Sequence, residues 1–195
     1  MAAGAGKRRI GAESSETRLR IVEAAEAVIR EEGYAAVSTR KVAARIGLPA
    51  SLVHYYFPAT DDLWLAVFHR GAAQSDAMIA AALADPDPVR ALWRFHADTS
   101  RAALSLEFMA LANRRPALRE AMATHVATMR GREEALLAHA IDARLAETQR
   151  CTPAGLAMVL AGVGRALVME GAMGVSAGHV DARAWIDAWL DRLLA

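Results

Sequence analysis

Proline and glycine cluster at only a few places in this chain, and between them the apolar residues recur at every third or fourth position. No run of Val, Ile or Thr alternates with polar residues over a strand's length, so the chain is read as all-α, with about nine helices. The first is expected from Ser15 to Glu32, with Ile21, Val22, Ala25, Val28 and Ile29 on one stripe and Gly33 as its stop. The second starts with Ser38 or Thr39 as N-cap and ends at Gly47; a third, of about seven residues, ends before Pro58. Thr60 is expected to cap a long fourth helix reaching about Ala84, because Asp61 and Asp62 fall in its first turn, where the helix dipole favours acids. The remaining helices are expected over about Pro88–Ala103, Leu104–Arg114, Pro116–Ala146, Pro153–Met173 and Asp181–Leu194, the first, third and fourth of them opened by Pro88, Pro116 and the Thr152-Pro153 start signal.

With 195 residues the chain is long enough to bury most of its apolar surface. A single cysteine, Cys151, rules out an intrachain disulfide. The basic N-terminus is followed by no apolar run of signal-peptide length, and the most apolar stretch, residues 156–175, carries Arg165 and Glu170. Both observations point to a cytoplasmic protein with no membrane span. The six histidines form no HExxH and no cluster with cysteine, and no phosphate-cradling glycine loop or nucleophile elbow is present, so no enzyme, metal or cofactor is expected.

The net charge of +1 says little, but its distribution says more: residues 1–57 carry nine Lys/Arg against six acids, and residues 38–57 carry Arg40, Lys41 and Arg45 with no acid. A basic pole on three short helices joined by a glycine corner makes a helix-turn-helix arrangement. In that arrangement the third helix enters the major groove and the second crosses the backbone. Ser38, Thr39, Arg40 and Lys41 at the start of helix two are then placed for phosphates, with Arg40 long enough for a guanine edge. Ala50, Ser51 and Leu52 lead helix three toward bases, while Val53 and Phe57 turn to the core with Ile46. His54, Tyr55 and Tyr56 cannot all be core, and those that face outward can reach phosphate oxygens. The pair Glu133 and Glu134 is read as a solvated face.

Residues 38–67, STRKVAARIGLPASLVHYYFPATDDLWLAV, resemble the DNA-binding signature of the TetR family of one-component bacterial regulators, and the preceding helix with Gly33-Tyr34 extends the match to residues 15–67. The resemblance implies a homodimer with a three-helix headpiece and a larger helical domain for ligand binding and dimerisation. It divides the chain into a flexible basic tail (1–14), a DNA-binding domain (15–60) and a ligand-binding and dimerisation domain (61–195). Pro49-Ala50-Ser51-Leu52 departs from the family's usual residues, and Thr60 stands where a basic residue is common. The tail residues Lys7, Arg8 and Arg9 offer a supplementary DNA arm.

For the larger domain, helix eight presents Gly155, Ala157, Ala161, Gly162 and Gly164, which permit close helix approach, and helix nine carries Trp185 and Trp189. Gly155, Ala161, Gly162, Trp185 and Trp189 are therefore the expected dimer contacts. Trp93, His96, Phe108, Met109, Asn113, Met122, His125, Met129 and Met158 are candidate lining for an apolar or aromatic effector. The functional expectation is a homodimeric, ligand-responsive transcriptional regulator, a repressor released from a palindromic double-stranded operator. The alternative is a helical small-molecule-binding or adaptor protein without specific DNA binding.

Overall fold

The computed structural model describes residues 15–98, 102–140 and 152–194. Among these the chain forms α1 (Glu16–Glu32), a 3-10 turn (Tyr34–Ala36), α2 (Thr39–Arg45), α3 (Ala50–Tyr56), α4 (Thr60–Leu83), α5 (Pro88–His96), α6 (Ala102–Ala112), α7 (Pro116–Ala140), α8 (Pro153–Ala172) and α9 (His179–Leu194). No strand occurs among the described residues, so the all-α reading stands. The tail with Lys7, Arg8 and Arg9, the expected end of helix seven and Cys151 lie outside them.

The helix starts follow from their caps. Ser15 Oγ accepts the Arg18 N–H at 3.0 Å, Ser38 Oγ the Lys41 N–H at 3.2 Å, and Thr152 Oγ1 the Gly155 N–H at 3.0 Å. The fourth helix departs from expectation: Ala59, not Thr60, is the N-cap, and its N–H donates to the Asp62 carboxylate at 3.1 Å. An acid at the third helical position thus satisfies the start from inside the helix, and the cap position needs no hydroxyl. Pro49 is the extended N-cap of α3, with φ −67° and ψ 141°.

Two buried clusters hold the fold. The first joins α1, α2 and α3 (Ile21, Ile29, Val42, Val53, Phe57) to α4 (Leu63, Val67), α6 (Leu104, Phe108, Leu111) and Leu118 of α7. The second joins α5 (Val89, Leu92, Trp93), Leu137 of α7, α8 (Leu156, Leu160, Leu167) and α9 (Ile186, Leu190). This division explains why α5 stops at His96, short of the expected Ala103: the apolar spacing continues in the sequence, but Trp93 serves one cluster and Leu104 the other, so the chain must change direction between them. Each fully buried Leu or Ile contributes about 1.5–3 kcal/mol relative to exposure.

Among the described residues one helix, Pro153–Ala172, is long and apolar enough to cross a membrane by length and composition alone. Leu156, Ala157, Leu160, Ala161, Gly164 and Leu167 on it are buried against the rest of the protein.

Candidate nucleic-acid interface and ligand cavity

The corner between α2 and α3 rests on Gly47, whose φ of 67° is left-handed. An added Cβ there would meet nothing within 4 Å, so the demand is conformational and not spatial. Any other residue would pay about 1–2 kcal/mol for that backbone. The Leu48 N–H bonds to the Ala43 carbonyl at 3.0 Å and closes the turn. Behind it Val53 and Phe57 are fully buried, as their four-residue spacing implied. The Arg18 guanidinium lies 4.8 Å from the centre of the Phe57 ring, and Arg20 donates to the Ile46 carbonyl at 3.3 Å, so α1 grips both recognition elements.

This frame leaves an outer surface. Ser38, Arg40, Ser51, His54 and Tyr55 are exposed, Tyr55 at 47%, while Thr39, Lys41, Ala50, Leu52 and Tyr56 are half-buried. Tyr56 packs on the first cluster, and Tyr55 stands edge-on to it at 5.3 Å. The basic residues divide in a way the sequence did not reveal. Lys41 is ion-paired with Glu32, and Arg45 donates to Glu31 at 2.8 Å, which holds the Glu31 carboxyl below the usual carboxylate range. Both cations thus brace α2 against α1. Arg40 has no acid partner among the described residues and keeps its charge available.

The headpiece is tied to the rest of the molecule by polar bonds as well as by the shared cluster. Arg70 of α4 reaches Glu23 at 2.6 Å and Glu26 at 3.2 Å on α1, and Arg115 pairs with Asp61 at the start of α4. Glu107 of α6 accepts the Tyr34 N–H at 2.9 Å, and the same carboxylate lies against Gly33.

Two adjoining cavities, of about 370 and 240 Å³, lie between α4, α5, α6, α7 and α8. The larger is lined by Phe68, Phe108, Met122 and His125, the smaller by Phe95, His96, Met129 and Glu133, and both by Ser75, Ser105, Met109, Val126 and Arg165. Six of the nine residues named from the sequence, His96, Phe108, Met109, Met122, His125 and Met129, therefore line this space. Trp93 is buried in the second cluster, Asn113 is exposed, and Met158 is 57% exposed on the outer side of α8; none of the three lines either cavity.

Glu133 corrects a further expectation. It is buried, at 2% exposure, although Glu134 beside it faces solvent. Arg130 Nη1 donates to Glu133 Oε2 at 3.1 Å, and His96 Nε2 lies 3.1 Å from Oε1. That nitrogen lies off the line a hydrogen bond requires, so it is buried without a hydrogen-bond partner among the described residues. The pairing joins α5 to α7 across 37 residues of sequence, which no local charge pattern announces. Ser75, Ser105 and Arg165 were missed as lining for the same reason: nothing in helical spacing separates a serine or arginine on a cavity wall from one in solvent.

The α8 stripe also turns out differently. Ala161 is buried within the single chain and lines the smaller cavity, so it is not available to a partner. Ala157 is fully buried, and Gly164 faces the α5 backbone at His96. Gly155 and Gly162 are half-buried, and an added Cβ at Gly162 would meet nothing within 4 Å. The exposed large apolar residues of the last two helices are Met158, Val159, Val180 and Trp185, with Trp185 60% exposed and stacked on Trp189 at 6.2 Å.

The profile of the bacterial regulatory proteins of the tetR family matches residues 21–67, which span α1, α2, α3 and the start of α4. No curated protein shows significant similarity to the chain. Among solved structures, multidrug binding protein EbrR in complex with malachite green is 30% identical, over 80% of this chain and 88% of that one, with a TM-score of 0.56. A TetR transcription regulator from Haloarcula marismortui shares the fold at 18% identity, over 91% and 97% of the two chains, with a TM-score of 0.73. A protein from Saccharomonospora viridis solved with choline does so at 19% identity, over 90% and 96%, with a TM-score of 0.74.

Proposed function

Because the chain belongs to the tetR family of bacterial regulatory proteins, we propose that it is a homodimeric, ligand-responsive repressor that leaves a palindromic operator when a small organic molecule fills the α4–α8 cavity. The observation that carries the DNA-binding part is the division of the basic residues. Lys41 and Arg45 are spent on Glu32 and Glu31, whereas Arg40, Ser51, His54 and Tyr55 face outward from a frame whose anchors are buried. In this reading α3 lies in the major groove, with Ser51 and Leu52 toward bases and Arg40 and Tyr55 toward phosphates. Two copies address half-sites roughly 34–36 Å, or a multiple of it, apart.

The ligand part is supported by the cavity and by relatives solved with malachite green and with choline. The path to the headpiece is short. Helix α6 carries Ser105, Phe108 and Met109 on the cavity wall and Glu107 on the Tyr34 N–H, so a ligand that shifts α6 by a fraction of an ångström disturbs the end of α1. A full switch requires the ligand to prefer the non-binding state by on the order of 10⁴-fold.

The test is selection of genomic DNA fragments by the purified protein, followed by affinity measurement on the selected site. Binding should weaken log-linearly with salt, and Arg40→Ala should lower affinity about tenfold and reduce the salt slope by about one phosphate contact. Failure to enrich any fragment at moderate salt overturns the repressor reading in favour of a helical binding or adaptor protein. For the dimer, Trp185→Asp should convert the protein to a monomer in sedimentation at micromolar concentration, since it replaces a large exposed apolar side chain of α9 with a charge. An unchanged sedimentation coefficient would remove α9 from the interface.

A further inference from the structure

Charge bookkeeping along the cavity walls narrows the ligand further, resting on the reading that this cavity is the effector site. Four charged side chains line it: Asp98, Arg130, Glu133 and Arg165. Arg130 and Glu133 neutralise each other at 3.1 Å, and Asp98 has a partner of its own. Among the described residues no acid pairs with Arg165, and it is the one charged residue common to both cavities. It sits midway along α8, exposed at the mouth the two cavities share.

Around it are two hydroxyls: Ser75 and Ser105 line both cavities, Ser75 with its own proton donated to the Gly71 carbonyl at 3.1 Å and Ser105 exposed. The walls beyond are apolar: Phe68, Phe108 and Met122 in the larger cavity. A guanidinium fork at the junction, with hydroxyls beside it and an aromatic chamber behind, matches a molecule with a planar anion at one end and an apolar body. Glu133, the buried acid of this wall, is already engaged by Arg130, so a cation that pairs with it would have to break that pair and approach Arg165.

We propose that the effector is an amphipathic carboxylic acid, an aryl- or alkyl-carboxylate whose anionic end is held by Arg165 and whose apolar body occupies the chamber of Phe68, Phe108 and Met122. In this it differs from the relatives solved with choline and malachite green, both of which are cations.

The experiment uses three probes of nearly equal shape, phenylbutyrate, phenylbutanol and phenylbutylammonium, titrated calorimetrically into the full-length protein, into Arg165→Gln and into Ser105→Trp. Phenylbutyrate should bind the wild type on the order of tenfold or more tighter than the alcohol, and the ammonium should bind weakest. Arg165→Gln should lose that advantage for the acid and leave the alcohol unchanged, which also shows that the variant is folded. Equal binding of acid and alcohol, tighter binding of the ammonium, no binding of any probe, or an acid affinity that survives Arg165→Gln each overturns the proposal. Ser105→Trp, which fills the junction, separates the two levels. If it abolishes binding while the three probes bind alike, the cavity stands as the site and only the anion assignment falls. If it leaves binding intact, the cavity itself is not the site and both fall.

Discussion

Gly164→Ala should destabilise the protein by about 2 kcal/mol or more, although alanine is the better helix former. A Cβ at this position would lie 2.3 Å from the His96 carbonyl oxygen, 2.7 Å from its carbonyl carbon and 2.8 Å from its Cβ. These are mostly backbone atoms at the end of α5, so the clash cannot be relieved by a rotamer change. Either α5 and α8 move apart, loosening Leu92, Trp93 and Leu160, or α5 unwinds at its last turn. The helix-propensity gain of about 1 kcal/mol offsets only part of that. For a chain of this size the melting temperature should fall by roughly 4–8 °C, read by differential scanning calorimetry. Gly162→Ala is the matched control, because its Cβ meets nothing and the same propensity gain should appear as a small stabilisation. If Gly162→Ala is costly instead, something beyond the single chain occupies that face, as a dimer through α8 would require. Should Gly164→Ala prove neutral, the close approach of α8 to His96 is not a constraint of the fold.

That pair of glycines also shows where sequence reading reaches its limit. Small residues on α8 mark a close approach, but the same stripe serves a neighbouring helix or a second subunit, and only the tertiary packing assigns Ala157, Ala161 and Gly164 to the inside. The headpiece was legible because its signals are local: Ser38 three residues before the N–H it caps, Val53 and Phe57 one turn apart, Gly47 at the required positive φ. The cavity was half legible. Methionine and aromatic residues on several helices betray an apolar chamber, yet which polar residues join its wall is decided by how helices distant in sequence pack together. Glu133 reads as solvated because a glutamate and two arginines adjoin it, whereas its burial is set by His96 on another helix. Arg165 reads first as an obstacle to membrane insertion, and only its place at the junction of two cavities makes it a candidate contact.

Ser51→Glu should abolish DNA binding, by at least about 100-fold, while leaving the fold intact. Ser51 is the second residue of α3 and is exposed, so a longer side chain displaces nothing buried. An acid in the first turn of a helix interacts favourably with the dipole, by about 0.3–1 kcal/mol, and α3 has no acid there now. The substitution should therefore hold or slightly raise the melting temperature. The same carboxylate, carried on the leading end of α3, would face the phosphates and base-edge acceptors of the major groove, where like charges in close contact cost several kcal/mol, and a dimer would suffer the cost twice. Ser51→Gln, with nearly the same shape and no charge, should lose far less, and the gap between the two variants should narrow as salt rises. Anisotropy titrations on the selected operator at two salt concentrations, beside melting curves, give both readouts. A Ser51→Glu protein that melts normally and binds within threefold of wild type would show that the leading end of α3 does not face DNA, and the assignment of Arg40 and Tyr55 to the phosphates would fall with it.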